Sequence, residues 1–404
     1  MIGLAKQLGV AVSLALAGNR KPGAGYLICS APVPERNRGD QALLKVVVEH
    51  VATKGGPHTI LTTSDQSIES LCPTKDCRIR SDLFPLFLTT RSFREQLAFP
   101  RVAGMHREML VIGADVLDEG YGEERSVASM DAIDLATKLG IKTRILGFSV
   151  NGKPSPGLVA RMSRLGKRTR LLVRDPVSFR RLQAAGIPGI EQVGDLAYLL
   201  NPAEIPQEDL GLRRFVNQNR GNLIGINLTQ VVLGQYGAEQ HRLEVLAEAC
   251  RRLAIEDGVR FLLLPHDEPE GVEYLRAFQE KLHREAEPIS HLVSPLPHAQ
   301  VLKHIAGLCK HVFTCRLHLG IASLGMGRPI TGFPYQGKFE GQFELFGLSS
   351  GGLVGAERFP ESADEMASLF RQRISLSAQL SEQIRRHLPA VLELSKKNFE
   401  GLAE

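Results

Sequence analysis

The chain has 404 residues, of which 43% are hydrophobic and 23% are charged, values that are ordinary for a globular protein of two or three domains. Its 49 Lys and Arg residues exceed its 44 Asp and Glu residues only slightly, giving a net charge of +5. A nucleic-acid-binding protein is therefore not indicated, because such proteins concentrate basic residues in runs or stripes. The sequence contains no apolar run that approaches the roughly 18 residues a membrane-spanning helix needs.

Residues 1–25 contain a short apolar stretch, Leu8 to Ala17, after Lys6. Two alternatives stay open for this segment, an extra helix or a targeting segment of the signal-peptide type. The cysteines favour the helix and a cytoplasmic protein, because most of the six lie within apolar stretches, as small buried residues do in a reducing compartment. Cys72 and Cys77 form a lone C-x4-C, so no zinc site is expected.

Short strand-like runs alternate with longer helical runs in the first half of the chain, a pattern that predicts a parallel α/β sheet. The predicted strands are Tyr26–Ser30, His58–Thr62, Met109–Val116, Thr143–Val150 and Arg170–Arg174. The predicted helices are Gln41–Thr53, Ala128–Leu139, Gly157–Leu165 and Val177–Ala185. Residues 63–105 show little clear period and are interpreted as an insertion beside a substrate cleft.

Two prolines and a polar run at Asn201–Pro202 and Ile205–Pro206 predict a linker, so we expect domains at 1–204 and 205–404. After the linker the alternating pattern restarts. The predicted strands are Asn222–Leu228, Val259–Leu264, His311–Cys315 and Arg328–Phe333, and the predicted helices are Gln240–Ala254, His298–Leu308 and Leu319–Met326. The tail from Ser362 to Phe399 is predicted to be helical with a break at Pro389.

Candidate functional residues follow the predicted strands, because ligands of open parallel sheets bind outside the carboxyl ends of the strands. Arg316 and His318 carry the most information. In extended backbone they would share a face, with Leu317 packed inward and a helix start beside them. An arginine can hold a carboxylate or phosphate with two hydrogen bonds, and a histidine can move a proton near neutral pH. The alternative is a surface ion pair and a histidine at the edge of the core.

The other strand ends offer weaker candidates with structural alternatives. Asn37 and Asp40 precede or open a helix and could be turn and capping residues, whereas Asp40 could also accept a proton. Arg174 is a second cation, and the Asp175 and Pro176 that follow it are explained as a helix start. The other candidates at strand ends include Gly113, Asp115 and Asn227. His266 and Asp267 follow a further strand, where they could line a cleft or simply form a polar turn.

Several of these segments together resemble the polysaccharide pyruvyl transferase family. The resemblance covers most of residues 26–348, and its most specific part is the Arg-Leu-His segment followed by Tyr-x-x-Lys. It is carried by Asn37-x-Gly39-Asp40-x-Ala42, Arg174-Asp175-x-x-Ser178 with Leu182 and Gly186, Gly194-Asp195-x-Ala197, Arg316-Leu317-His318, Pro329, Tyr335, Lys338 and Gly341. The sequence departs from the family pattern at Gly113-Ala114-Asp115, where a longer glycine run is common.

The resemblance implies two Rossmann-like domains facing across a cleft, as in glycosyltransferase-B enzymes, with a C-terminal helical tail. It also implies transfer of a pyruvyl group from phosphoenolpyruvate to two hydroxyls of a sugar in a cell-surface or exopolysaccharide precursor, giving a cyclic ketal. Position by position, Arg174, Arg316 and His318 match the donor-binding and catalytic residues of the family. Domain 1–204, which includes Arg174, would form the acceptor side, and domain 205–404 would carry the donor site with Arg316 and His318. No cofactor or metal is expected, since phosphate is already a good leaving group.

The implied roles divide the candidates into catalytic and binding residues. The catalytic group is His318, Arg316 and Asp40, with His318 as the general acid. The proton of the attacking hydroxyl could be accepted by Asp40 or by Asp115. The substrate-binding group is Arg174, Asn37, Ser178, Gly113, Asp115, Asn227, His266, Tyr335 and Lys338. The expected partners are phosphoenolpyruvate and a sugar or lipid-linked oligosaccharide, through which the protein would contact a membrane peripherally. A nucleotide-sugar glycosyltransferase and a non-catalytic sugar-binding relative of the same architecture stay open as alternatives.

Overall fold

A computed structural model gives the conformation of residues 23–29, 33–62, 71, 77–81, 93–115, 117–120, 122–152, 154–283, 288–334 and 337–402. The predicted N-terminal helix, Cys72 and Tyr335 lie outside these described residues. By compactness the chain divides into two units. The first unit takes most of the chain up to Leu199 together with residues 393–404, and the second takes residues 36–39 and 200–392.

The first unit is built on a seven-stranded parallel sheet, in which β1 lies near the middle. The sheet order is β3-β2-β1-β4-β5-β6-β7. The strands are β1 (Tyr26–Cys29), β2 (His58–Leu61), β3 (Cys77–Arg80), β4 (Glu108–Ile112), β5 (Lys142–Phe148), β6 (Thr169–Val173) and β7 (Ile190–Gln192). β1, β2 and β4 are buried along their whole length, as expected for strands covered by helices on both faces.

Helices connect the strands of the first unit and cover its sheet. They are α1 (Arg38–Ala52), α2 (Phe93–Ala103), α3 (Glu123–Lys138), α4 (Pro156–Leu165) and α5 (Pro176–Ala184). The start of α5 shows why the sequence folds this way locally. The Asp175 carboxylate accepts a hydrogen bond from the Ser178 backbone N–H at 2.7 Å, and Pro176 occupies the first helical position.

The second unit contains a five-stranded parallel sheet with the order β10-β9-β8-β11-β12. Its strands are β8 (Leu223–Asn227), β9 (Arg260–Leu263), β10 (Ser290–Leu292), β11 (His311–Thr314) and β12 (Ile330–Gly332). Its helices are α6 (Leu210–Gln218), α7 (Gln230–Leu233), α8 (Glu239–Glu256), α9 (Glu270–Leu282), α10 (Ala299–Leu308), α11 (Leu317–Gly325), α12 (Phe339–Leu345), α13 (Ala363–Ser375) and α14 (Ser377–Lys396).

The prediction of two Rossmann-like parallel α/β units with a helical C-terminal tail is confirmed. Two local expectations were wrong. The described part of 63–105 contains β3, which pairs with β2 as part of the sheet, and α2, so this stretch is not simply an insertion. The tail breaks at Leu376, between α13 and α14, whereas Pro389 lies inside α14. None of the helices in the described ranges combines the length and apolar composition needed to cross a bilayer.

The two compact units differ from the predicted domains in the middle of the chain and near its C-terminus. The main change of unit falls between Leu199 and Leu200, and the predicted linker begins against α10, where the Gln300 amide donates to the Asn201 carbonyl at 3.1 Å. Residues 393–404 pack in the first unit. There the Arg144 guanidinium donates to the carbonyl oxygens of Asn398 and Glu400 while it pairs with Glu108.

Candidate functional site

Most of the candidate functional residues in the second unit lie beyond the carboxyl ends of β9, β8 and β11. β8 lies between β9 and β11, so the segments that follow the three strands are neighbours at one edge of the sheet. His266 and Asp267 come after β9, and Arg316 and His318 come after β11. The structure thus brings together two candidate segments that lie about 50 residues apart in the sequence.

Arg316 forms an ion pair with Asp267 through its Nη2 atom. Its side chain is 28% exposed and that of Asp267 is 14% exposed, so the pair is partly open to solvent. The Nε atom of Arg316 is buried and has no hydrogen-bond partner among the described residues. Burial raises the pKa of Asp267, although the charge of Arg316 opposes that rise. Arg316 therefore keeps part of its donor capacity for another group.

The imidazole of His318 lies parallel to that of His266. The ring centroids are 6.4 Å apart, and the ring planes differ by 8°. His266 is buried, whereas His318 is half-buried. Burial lowers the pKa of His266 well below its usual value, and the charges of His318, Arg316 and Arg38 lower it further. The two rings therefore differ in environment, with His266 held neutral.

The local geometry of Arg316 and His318 differs from the expected extended backbone. Arg316 is the N-cap of α11, which begins at Leu317, so Arg316 and His318 stand at the head of a helix. Leu317 is only half-buried. The side chain of the N-cap residue Arg316 makes no capping hydrogen bond to this helix end, so the backbone N–H groups of the first turn are a favourable pole for an anion. Thr314 holds the segment that leads into α11, because its hydroxyl accepts a hydrogen bond from the Arg316 N–H at 2.9 Å.

Residues 36–39 belong to the second unit and complete this site. Asn37 forms an antiparallel bridge with Asp267, and the Arg38 N–H donates to the His266 carbonyl at 2.9 Å. Gly39 lies directly against His318, since a Cβ atom added at Gly39 would come within 2.4 Å of the His318 Nδ1. Glycine is therefore required here by close packing on the imidazole, a reason that the sequence did not reveal.

Arg38 is a site residue that the sequence analysis missed. It is 6% exposed, and its guanidinium bonds the Glu268 carboxylate at 2.7 Å and the Pro297 and Leu296 carbonyl oxygens at 2.7 and 2.8 Å. These bonds tie the loop after β9 to the loop after β10. The only available signal was its position between Asn37 and Gly39, in the Asn-x-Gly-Asp motif.

Asn37 and Asn227 have local structural roles. The Asn37 side-chain oxygen accepts a hydrogen bond from the Gly39 N–H at 2.8 Å, as a turn residue before α1 would do. Asn227 is 2% exposed, and its amide donates to the Leu264 carbonyl at 2.8 Å and accepts from the Thr314 hydroxyl at 3.2 Å. Asn227 therefore links β8 to the segments that carry His266 and Arg316. Substrate contact for either asparagine stays a prediction.

Arg174, the cation predicted at the donor, is enclosed in the first unit with 0% of its side chain exposed. It pairs with Asp195 at 2.8 Å and donates two further bonds to the Ser149 hydroxyl, at 3.2 and 2.9 Å. Burial alone would lower the pKa of Arg174, but the nearby charges of Asp195, Asp115 and Asp175 outweigh it and raise the pKa. In this conformation the guanidinium has no surface for a ligand, so the donor-binding role predicted for Arg174 is not carried into our proposal.

The other first-unit candidates also make local contacts. The Ser178 hydroxyl accepts from the Val150 N–H at 3.1 Å, and Gly113 is needed because a Cβ there would lie 2.4 Å from Phe148. The Asp40 carboxylate accepts from the Val33 N–H at 3.0 Å, and its role as proton acceptor stays a prediction. The half-buried Asp115 acts on Arg174 through its charge.

In the second unit, Lys338 is buried at the start of α12.

Solved structures with the same fold span nearly the whole chain. A UDP-glucosyltransferase from Polygonum tinctorium is 15% identical with a TM-score of 0.59, over 95% of this chain and 98% of that one. A putative UDP-N-acetylglucosamine 2-epimerase from Listeria monocytogenes is 14% identical with a TM-score of 0.59, over 94% and 98%. The Neisseria meningitidis UDP-GlcNAc 2-epimerase bound to UDP-GlcNAc is 12% identical with a TM-score of 0.55, over 93% and 98%. These likenesses establish a glycosyltransferase-B-type fold and nothing about the substrate.

Sequence comparison is more specific than the fold. No curated protein matches this chain. The family model for polysaccharide pyruvyl transferases matches residues 37–337, a range that begins at Asn37 and includes both Arg316 and His318. The match covers about three quarters of the chain, in agreement with the resemblance seen in the sequence. The chain therefore belongs to the polysaccharide pyruvyl transferase family.

Proposed function

We propose that this protein transfers the pyruvyl group of phosphoenolpyruvate to two hydroxyls of a sugar in a polysaccharide precursor, forming a cyclic ketal. The observation that carries the proposal is the joint position of Arg316 and His318 at the uncapped head of α11, against the His266–Asp267 segment. This arrangement pairs an anion-binding arginine with a histidine suited to proton transfer. Membership of the polysaccharide pyruvyl transferase family supports this choice of reaction.

The donor suits the charges at this edge of the sheet. Phosphoenolpyruvate has a carboxylate and a phosphate, and Arg316 offers a buried Nε beside the α11 N-terminus. An anion that approaches would compete with Asp267 for the guanidinium, because that carboxylate already pairs with Nη2. Burial raises the pKa of Asp267, so this carboxyl takes up a proton more readily than an exposed aspartate would when an anion displaces it from Arg316.

His318 is proposed as the general acid. Protonation of the donor's methylene carbon would generate a cationic carbon at C2, which the first sugar hydroxyl attacks. The C2–oxygen bond to phosphate then breaks, and the second hydroxyl closes the ketal. The two sugar hydroxyls lose two protons in the whole reaction. One replaces the proton that His318 gave to the methyl group, and the other leaves with the phosphate. The parallel, neutral His266 ring allows His318 to hold the proton without a second charged imidazole beside it.

Donor identity is tested most directly by equilibrium binding without an acceptor. Calorimetric titration of the wild type should detect phosphoenolpyruvate binding. The affinity for UDP-N-acetylglucosamine should be the same in the wild type and in an Arg316→Ala variant. With a sugar acceptor that carries two suitably spaced hydroxyls, phosphate release should depend on both substrates. Tight binding of the UDP-sugar with no binding of phosphoenolpyruvate would instead support a nucleotide-sugar glycosyltransferase.

A further inference from the structure

We infer that His266 is a ligand of the anionic donor, with its neutral imidazole donating a hydrogen bond from Nδ1 to an oxyanion held beside Arg316. The inference rests on the proposed function for the identity of the donor. It adds a specific atom, a protonation state and a tautomer to the site. The group that His266 would contact is an oxyanion, either the phosphate or the carboxylate of phosphoenolpyruvate.

The first argument is an unsatisfied polar atom. His266 is 4% exposed, and its Nδ1 is buried without a hydrogen-bond partner among the described residues. Buried nitrogens of this kind are uncommon, because they lose their water without gaining a replacement. The neighbouring Arg316 Nε is in the same state. Two adjoining residues with unpartnered buried nitrogens indicate a group that both would bind.

The second argument is position. The His266 ring is parallel to that of His318, the second residue of α11, at a centroid distance of 6.4 Å. The N-cap residue Arg316 does not cap α11 with its side chain, so the backbone N–H groups of the helix start can add to the same anion-binding surface. The backbone of His266 is fixed, since its carbonyl accepts from the Arg38 N–H at 2.9 Å. A ring on such a rigid support loses little freedom when it binds a ligand.

The third argument is charge. Burial and the positive charges of His318, Arg316 and Arg38 keep the pKa of His266 low, while the acidic neighbours Asp267 and Glu268 are paired with the two arginines. The ring is therefore neutral and has one N–H to donate. A neutral donor adds a hydrogen bond for the anion without crowding a further positive charge against His318. Binding requires the tautomer with its proton on Nδ1.

His311 shows what a purely structural histidine looks like in the same unit. It is 0% exposed, and burial lowers its pKa to about 3. Both of its nitrogens have partners, however: Nδ1 lies 3.1 Å from the Ser377 hydroxyl and Nε2 lies 2.9 Å from that of Thr331. Burial and neutrality are thus common to both histidines, and the unpartnered nitrogen distinguishes His266.

The test uses three substitutions at His266 and one matched control. His266→Asn places an amide nitrogen near the Nδ1 position, His266→Gln places one near Nε2, and His266→Phe keeps a planar ring without nitrogen. His311→Asn is the control for altering a buried imidazole. Affinities of the full chain for phosphoenolpyruvate and for inorganic phosphate are measured by calorimetric titration, and thermal unfolding checks that each variant is folded.

We expect His266→Phe and His266→Gln to weaken phosphoenolpyruvate binding about tenfold to a hundredfold, the loss typical of a hydrogen bond to a charged group. His266→Asn should stay within about fivefold of the wild type, since it restores the donor at Nδ1. His311→Asn should leave the affinity unchanged. A parallel loss for inorganic phosphate places the contact at the phosphate, and a loss for phosphoenolpyruvate alone places it at the carboxylate.

Wild-type affinity in His266→Phe, or an equal loss in His266→Asn and His266→Phe, would overturn the Nδ1 contact. Failure of the proposed function gives a different pattern. A wild-type protein that binds inorganic phosphate but not phosphoenolpyruvate refutes the donor assignment, while the His266 variants still test the anion contact with phosphate. A wild-type protein that binds neither anion refutes both.

Discussion

Arg174 and Asp195 form an ion pair with no exposed surface, in which Nη1 and Oδ2 are 2.8 Å apart. Asp195 also accepts a hydrogen bond from the Ala197 N–H at 2.8 Å, and Arg174 donates to Ser149. The pair therefore joins the end of β6 to the turn that follows β7 and to the segment after β5. Two polar motifs that look functional in the sequence meet here to hold the first unit together.

Arg174→Ala should lower the free energy of unfolding by about 3–5 kcal/mol, because it leaves the Asp195 carboxylate buried without its partner. Lys138→Ala is the matched control. It breaks an exposed pair with Asp134 and should cost about 0.3–0.5 kcal/mol. Chemical denaturation measures both. A stable Arg174→Ala protein with weakened phosphoenolpyruvate binding would restore the donor role that burial argues against.

Gly39→Ala should impair turnover more than stability. The added Cβ would lie 2.4 Å from Nδ1 and 2.7 Å from Cγ of His318, too close for the ring to stay in place. Since a general acid contributes about a hundredfold to ten-thousandfold, displacing it should reduce kcat by at least about tenfold. Steady-state kinetics and thermal unfolding test this. Gly157→Ala is the control, because its nearest neighbour, the Ser155 hydroxyl, is 3.7 Å away. Wild-type kcat in Gly39→Ala would show that His318 tolerates displacement.

Most of the fold could be predicted from sequence because buried parallel strands form continuous apolar runs. β4 and β8 are fully buried, and their predicted positions agree with the structure to within a few residues. β3 was missed because Arg78 and Arg80 interrupt its apolar pattern, as suits an edge strand. α9 was also missed, although Val272, Leu275, Phe278 and Leu282 mark its buried face at helical spacing.

The site could be predicted only in part. The rule that ligands lie beyond the carboxyl ends of strands led to His266, Arg316 and His318, which the structure places together. The same rule led to Arg174, because an arginine that binds a ligand and an arginine in a buried ion pair can occupy the same position after a strand. Only the tertiary position of Asp195 distinguishes the two cases. The contact of Arg38 with Glu268, 230 residues later, depends on tertiary structure and leaves no local signal.

The protein should lose stability as the pH falls below about 6.5, because His311 and His266 are neutral in the folded state but become protonated when unfolded. Their folded pKa values are depressed, to about 3 for His311. The stability they contribute is therefore complete above the unfolded pKa and is lost as the pH falls. Each should contribute a slope of about 1.4 kcal/mol per pH unit.

His311→Asn tests this slope, because it removes one of the two titrating groups while its amide can still reach Ser377. Denaturation curves between pH 6.5 and 4.5 should show a shallower dependence in this variant, by about 1.4 kcal/mol per pH unit. His387→Asn serves as the control, since His387 is only half-buried. An unchanged slope in His311→Asn would mean that other groups dominate the acid response.

Arg316→Ala should weaken phosphoenolpyruvate binding by about 1.5–3 kcal/mol, the value of a hydrogen bond to a charged group. Arg316→Lys should recover only part of this, since an ammonium cannot reproduce the planar guanidinium that engages Asp267 while keeping Nε for a ligand. Calorimetric titration measures both variants. The control is Arg328→Ala, because Arg328 lies beyond the opposite end of α11 and donates to the Gly307 carbonyl at 2.8 Å. Equal affinity in wild type and Arg316→Ala would remove Arg316 from the donor site.

His318→Gln tests the general acid most directly. The glutamine amide keeps a polar group at the head of α11 but cannot donate a proton to carbon, so kcat should fall roughly a hundredfold to ten-thousandfold. Affinity for phosphoenolpyruvate should change far less, because Arg316 and the helix N-terminus remain.

The control for His318→Gln is His304→Gln, a histidine in α10 whose side chain is half-buried. It should show wild-type kcat and the wild-type pH profile, which separates a specific effect at His318 from a general effect of removing an imidazole. Near-wild-type turnover in His318→Gln would show that the acid is another group. A loss of thermal stability as large as that of Arg174→Ala would instead assign His318 a structural role. The lower activity would then follow from loss of the folded protein.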